Sequence, residues 1–238
     1  MTSTTFKYSN ETFFVKYDPS DNSGLGAITE IVNRNEYVLD KFTGQQNKVF
    51  IDIGANIGIA TIIMAKLNPQ SIVYSFEPFE KAYTLLLKNI IANKLTNVKP
   101  FNLAVSNKAN KKLTLSIFNT MSGANSTYSD PDKFSSFWKT AEVIKEVDCI
   151  YFDKILVDNK IKEIYLLKID CEGAEFDIIY DSDFFKNKIV KNMVGEFHDL
   201  KYNTINDSNQ VNLAKSASLI TYCKNYVDGI FKVSILQI

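Results

Sequence analysis

The stretch VFIDIGANIG, Val49 to Gly58, limits what this chain can fold into more than any other. Val49, Phe50, Ile51 and Ile53 make the near-continuous apolar run of a parallel strand covered on both faces, and Gly54 punctuates it. Beyond Gly58 the apolar residues recur at Ile59, Ile62, Ile63 and Leu67, a helical spacing. The segment therefore predicts strand, tight loop and helix, the kind of turn at which nucleotides bind.

The glycines stand as Gly54-x-x-x-Gly58, with Asn56 where a dinucleotide fingerprint needs a glycine for close approach of a pyrophosphate. NAD is accordingly disfavoured. A second acid, Glu77, ends the next strand in SIVYSFEPF, where a carboxylate can accept from both hydroxyls of a ribose. Asp52 beside the loop would repel a diphosphate but suits a ligand carrying an ammonium and a sulfonium. S-adenosylmethionine has both, together with a ribose and an adenine. A flavodoxin-like or NAD-binding unit is the plain structural alternative.

At 238 residues, 45% hydrophobic and 23% charged, the chain has the composition of one soluble domain with a substantial core. Its formal charge is zero and Arg34 is its only arginine, so no basic field draws nucleic acid or an anionic membrane, and the usual bidentate clamp for phosphate is scarce. Cys149, Cys171 and Cys223 show no CxxC pairing, which argues against a disulfide scaffold or structural zinc and for a reducing, cytoplasmic setting. The N-terminus has no basic segment followed by a long apolar run, so neither a signal peptide nor a membrane span is expected.

Strand-helix units follow one another from residue 48: Val49–Ile53, a helix to about Leu67, Ile72–Phe76, a helix Phe79–Asn93, then Val98–Ala104. Alternation at this spacing calls for a mostly parallel sheet with helices on both faces. NKANKKLTLSIFN reads as a turn and strand, EVDCIYFDKIL as a strand entering a short helix, and EIYLLKIDCEGAEFDII repeats the strand, acidic turn and helix of the opening motif. Asn192 to Phe197 is a further strand and a helical tract follows near Val211 to Asn225. NYV, Asp228-Gly229 and IFKVSILQI read as a terminal antiparallel hairpin across a tight turn. Residues 1–45, with FFVKYD and a helical ITEIVNRNEYVLDKF, read as a cap on a single domain whose core spans 46–238. A polar insertion over 119–140 carries Tyr128, Phe134, Phe137 and Trp138, which anchor a loop or stack on a substrate.

Taken in order, VFIDIGANIG, FEPFEKAYTLLLKNI, FNLAVSN, YFDKIL, LLKIDCEGAEFDII and EFH resemble the FkbM-type methyltransferases, from about Lys48 to His198, and KIDCEGAE is the most specific of these strings. The resemblance implies a class I, Rossmann-like methyltransferase fold and transfer of a methyl group from S-adenosylmethionine to a hydroxyl, commonly of a saccharide or polyketide-like molecule. It implies that Asp52, Gly54, Ala55, Asn56 and Gly58 cradle the methionine end. Glu77 would hold the ribose, Pro78 and Phe79 would flank the adenine, and Ala104 and Val105 would close over its edge. Asp170, Glu172 and His198 would lie near the transferred methyl, with Asp170 also touching the cofactor.

An aliphatic hydroxyl needs a base or a metal beside it. His198, the sole histidine, has an intrinsic pKa suited to base work near neutrality, although GEFHDL could also hold a solvated ring. Asp170 or Glu172 could serve instead, or could hold magnesium together with Glu196, but the preferred expectation is a metal-free site. Glu175 is expected simply to complement the dipole of its helix, and Lys168 to make a structural ion pair with Glu196. The expected partner is a small-molecule or glycan acceptor, with no membrane and with homodimerisation compatible. RNA 2′-O-methylation and a non-catalytic S-adenosylmethionine-binding module are the competing readings.

Overall fold

In this computed structural model the described residues are 1–106, 112–118, 122–125, 143–184, 187–198 and 218–234. Tyr128, Phe134, Phe137 and Trp138, and the first part of the helical tract expected from Val211, lie outside them.

The chain opens with an antiparallel hairpin, β1 (Thr2–Tyr8) and β2 (Glu11–Tyr17), followed by the short helix α1 (Ser23–Ile28), a π-turn at Thr29–Asn33 and a 3-10 turn at Leu39–Phe42. The continuous helix expected over ITEIVNRNEYVLDKF is thus broken. Asn35 and Val38 both take positive φ, which interrupts helical hydrogen bonding between the two turns.

The core then alternates as read: β3 (Gln46–Ile53), α2 (Ile59–Leu67), β4 (Gln70–Phe76), α3 (Glu80–Ala92) and β5 (Val98–Phe101). A short β6 (Ala104–Ser106) leaves the main sheet to join β7 (Lys112–Ile117) and β8 (Val143–Tyr151) in a second sheet of order β6-β8-β7. The single strand expected over Val98–Ala104 is therefore two. After α4 (Phe152–Asp158) come β9 (Ile164–Ile169), α5 (Glu175–Asp181), β10 (Val190–His198), a helix over 218–224 and β11 (Asp228–Ser234).

The main sheet runs β11-β10-β9-β3-β4-β5 and every described pairing in it is parallel. The C-terminal antiparallel hairpin is corrected here. Asp228 and Gly229 do not turn the chain; they pair with Asn192 and Met193 at the start of β11. A seven-pair ladder along the edge of β10 outweighs the local turn preference of one dipeptide, and residues 235–238 lie outside the described set.

Strand parity sorts the core onto two faces. Phe50, Val73, Leu166 and Val194 pack with α2, α3 and the hairpin's Phe6, Tyr8, Phe13 and Val15. Their neighbours Ile51, Tyr74, Leu167 and Met193 pack with α4, α5 and Leu219 and Cys223. The N-terminal hairpin is thus built into one face of the core. It is also tied there by α3, because Asn89 and Asn93, one helical turn apart, bond the peptide groups of Lys16 and Phe14 at 2.6–3.1 Å, as a neighbouring strand would.

The chain leaves β3 in one direction through β4 and β5 and returns on its other side through β9, β10 and β11, so the switch point lies between the C-terminal ends of β3 and β9. Among the described residues no helix is long and apolar enough to cross a membrane, and Cys149, Cys171 and Cys223 are free thiols.

Candidate active site

At that switch point a cavity of about 400 Å³ opens. The loop after β3 forms its floor, and its amides decide which ligands it can hold. Gly54 and Ala55 N–H donate to the Phe76 carbonyl (3.1 and 3.0 Å), Asn56 N–H to Glu77 Oε2 (2.8 Å), Ile57 N–H to Asn56 Oδ1 (2.7 Å) and Gly58 N–H to the Ala55 carbonyl (2.8 Å). Every N–H from 54 to 58 is spent inside the protein, so this loop offers no nest of donors to a diphosphate.

The two glycines are required by the protein's own packing. Gly54 has φ +79°, and a Cβ there would stand 1.7 Å from the Asp170 carbonyl oxygen. Gly58 has φ +93°, and a Cβ would meet Leu86 of α3 at 2.4 Å. Bare backbone lets β3's loop lie against the end of β9 and lets α2 start tight against α3.

Glu77 accepts from the N–H groups of Asn56 and Phe79, both at 2.8 Å. Burial pushes its carboxyl up to about 7, against those two donors and Lys168, which favour the charge. Each oxygen keeps a lone pair that a ribose hydroxyl could use.

Asp52 is not where a ligand can reach it. It is fully buried, absent from the cavity wall, and accepts from Thr61 Oγ1 at 2.6 Å, with Lys168 Nζ 3.2 Å from its other oxygen. The expected Lys168–Glu196 pair is corrected accordingly. The parallel register sets Asp52 directly beside Lys168, whose ammonium also donates to the Gly54 carbonyl (2.7 Å) and stands 3.5 Å from Asp170. Burial would push the Lys168 ammonium down, but Asp52 and Asp170 hold it above its usual value.

Asp170, Glu172 and Glu175 after β9, together with Glu196 of β10, put four carboxylates around one imidazole. His198 Nδ1 lies 3.2 Å from Glu175 Oε1, while Nε2 stands 3.6 Å from Glu172, 3.6 Å from Glu196 and 3.9 Å from Asp170. Glu175 does more than complement a dipole: it is fully buried and accepts from the N–H groups of Cys171 (2.8 Å) and Gly173 (2.9 Å), closing the turn on which Glu172 takes φ +54°. Burial would lower the His198 pKa, yet Glu172, Glu175 and Glu196 hold it well above the ordinary value. The His198 ring, expected from the sequence as a near-neutral base, thus sits among carboxylates that favour its charged form.

Burial raises the Glu172 carboxyl to about 8, with Asp170, Glu175 and Glu196 adding and His198 opposing. Asp170 goes the other way. Burial would raise it, but Lys168, His198 and the Tyr37 hydroxyl, which donates to its Oδ2 at 2.8 Å, keep it low.

Of the residues singled out in the sequence, Gly54, Ala55, Asn56, Glu77, Pro78, Ala104, Val105, Asp170, Glu172 and His198 line the cavity. Asp52, Gly58 and Phe79 do not; Phe79 packs with Ala82, Leu115 and Ile117. Two further parts of the wall went unread. Tyr37 carries no local motif. Ser122 and Asn125 come from the start of the polar insertion, where Asp21 and Ser23 accept from the N–H groups of Ser122 (3.1 Å) and Gly123 (2.8 Å). Ser122 Oγ and Asn125 Nδ2 are buried without a partner among the described residues, as suits a wall that awaits a polar ligand.

The model of the methyltransferase FkbM domain matches residues 52–217. The chain belongs to the FkbM methyltransferase domain family. The cofactor of this FkbM domain is S-adenosylmethionine, and the satisfied loop, Glu77 and the two orphaned polar atoms fit a ligand that carries a ribose and polar ends but no diphosphate.

Curated relatives include "Methyltransferase 1" of Beauveria bassiana, 27% identical over 163 residues, covering 63% of this chain and 65% of that protein. "Methyltransferase sdnD" of Sordaria araneosa is 27% identical over 172 residues, with 63% and 66% covered. The tRNA(Phe) (4-demethylwyosine(37)-C(7)) aminocarboxypropyltransferase of Methanocaldococcus jannaschii is 30% identical over 167 residues, with 69% and 64% covered. The matches thus span about two thirds of each relative's length. Among solved structures, M. jannaschii TYW2 in complex with AdoMet overlaps at 25% identity and TM-score 0.28, covering 46% of this chain and 52% of that one.

Proposed function

We propose that this chain is an S-adenosylmethionine-dependent O-methyltransferase acting on a hydroxyl of a saccharide or another small hydroxylated metabolite. The observation that carries the reading is the carboxylate and imidazole cluster of Asp170, Glu172, Glu196 and His198 on the wall of the same cavity as the loop and Glu77. Bound there, the cofactor supplies a sulfonium methyl that an acceptor oxygen takes by in-line displacement, the C–S electron pair staying on a neutral thioether.

The chain's own part is to hold and to take a proton. Glu77 holds the ribose, Asn56, Ser122 and Asn125 offer polar contacts to the cofactor, and Pro78, Ala104 and Val105 give it an apolar slot. Well-oriented reactants can gain roughly 7–11 kcal/mol from such positioning. The hydroxyl proton passes to the Glu172 carboxylate, whose burial raises its pKa to about 8 and so makes it a stronger base, a step worth about 10²–10⁴-fold. A cavity of about 400 Å³ suits small ligands, and the zero formal charge supports a small acceptor over nucleic acid.

Calorimetric titration with S-adenosylmethionine and S-adenosylhomocysteine, with NAD as control, tests the cofactor. Micromolar binding of both sulfur compounds and none of NAD is expected, and Glu77→Ala should abolish it while the circular dichroism stays native. An acceptor screen over saccharides then reads the by-product. S-adenosylhomocysteine supports methyl transfer. Methylthioadenosine would instead mean aminocarboxypropyl transfer, the reaction named for the M. jannaschii relative.

A further inference from the structure

We propose that Asp170, Glu196 and His198 form a divalent metal site, in which His198 Nε2 is a ligand and not a general base. Its role toward an acceptor rests on the O-methyltransferase reading; the binding of the ion does not. One donor atom from each residue lies within 4.8 Å of the others, at the adjacent ends of β9 and β10.

Geometry favours a shared ion over direct bonding. Nε2 stands 3.6 Å from Glu196 Oε1 and 3.9 Å from Asp170 Oδ1, too long for hydrogen bonds. Donors about 2.0–2.2 Å from one cation sit roughly 3 Å from each other, so a small inward movement closes the set. Both neighbours of the site are already oriented. Glu175, itself fixed by the Cys171 and Gly173 N–H groups, takes Nδ1 at 3.2 Å and turns Nε2 inward, the outer carboxylate arrangement usual behind a metal-bound histidine. Tyr37 and Lys168 approach Asp170 at Oδ2, which leaves Oδ1 as the oxygen nearer the ring.

Charge points the same way. Asp170, Glu172, Glu175 and Glu196 crowd one imidazole, and the nearby Lys168 lies closer to Asp52 and the Gly54 carbonyl than to Asp170. A divalent ion would balance this excess. One imidazole with two carboxylates is a mixed nitrogen and oxygen set, which suits Mn²⁺ or Zn²⁺ better than the all-oxygen magnesium set of Asp170, Glu172 and Glu196. Three protein ligands leave positions open toward the cavity, where an acceptor hydroxyl can meet a Lewis acid.

His198 is the sole histidine, so its ring reports the site in the unaltered protein. Metal-stripped protein is titrated with Zn²⁺ and its imidazole nitrogens are followed by NMR, and free Mn²⁺ is counted by electron paramagnetic resonance in a parallel titration. One Mn²⁺ per chain is expected, with Zn²⁺ shifting the Nε2 resonance far more than Nδ1. Glu196→Gln and His198→Gln should each weaken Mn²⁺ binding at least tenfold while S-adenosylhomocysteine still binds. Unmoved imidazole nitrogens at millimolar Zn²⁺, or equal Mn²⁺ binding by the variants, would overturn the site. Loss of S-adenosylhomocysteine binding by the unaltered protein would instead overturn the methyltransferase reading, whatever the metal result.

Discussion

Glu77 shows how much one buried carboxylate can carry. Its folded pKa is raised by burial from the ordinary 4.5 to about 7, so the folded chain binds more protons than the unfolded chain between those values. Stability from this group is therefore fully present below pH 4.5 and is lost as pH rises toward 7, by roughly 3 kcal/mol for a shift of this size. Glu77→Gln should flatten the pH dependence of the urea midpoint over that window; an unchanged slope would show that burial is not the cause. Ribose hydroxyls donating to the ionised form would pull the same pKa down. Cofactor binding near pH 6 should then release a proton, visible as a buffer-dependent heat. The strand-end position of Glu77 was legible in SIVYSFEPF because it depends on local spacing alone. That Asp52 is walled off behind the loop was not, because its partner Lys168 arrives from a strand more than a hundred residues later.

Elements with strong apolar periodicity form where that periodicity predicts them, and a lone turn signal yields to the sheet. β3, α2, β4 and α3 stand where the apolar spacing put them. Asp228-Gly229 was read as a turn and lies in a parallel strand, because hydrogen bonding along β10 is worth more than a dipeptide's preference. The contact of α3 with β2 carries a sharper test. Asn89 Oδ1 accepts from Lys16 N–H, and its Nδ2 donates to the carbonyls of Lys16 and Ile57, all within a fully buried side chain. Asn89→Leu keeps the helix and the volume but strands those three groups, so a loss of roughly 3 kcal/mol in urea unfolding is expected. A loss below about 1 kcal/mol would mean that the hairpin is held by its apolar side chains alone.

The parts come together around the cavity, one wall of which is N-terminal. Asn22, Ser23, Glu30, Ile31 and Tyr37 line it, and the hairpin before them is packed into the same core cluster as α2 and α3. Removing residues 1–17 should therefore lower the melting temperature by more than 10 °C and abolish S-adenosylhomocysteine binding, measured by thermal melt and calorimetry. Retention of both would reduce the segment to an ornament. From the sequence it is expected only as a cap on the core, because FFVKYD shows strand alternation but nothing in it names the helix it packs against.

The linear chain was enough to establish the strand and helix order from β3 to α3, the glycine loop, the strand-end place of Glu77 and the acidic turn at KIDCEGAE, since all of these rest on spacing within a dozen residues. Only the tertiary structure decided the partners. Strand register matched Lys168 to Asp52, the turn closed by Glu175 brought three carboxylates to join Glu196 around His198, and the Tyr37 hydroxyl crossed 133 positions to reach Asp170. Such choices depend on which distant groups burial leaves side by side, and a charge taken out of water must pair with what the fold brings to it.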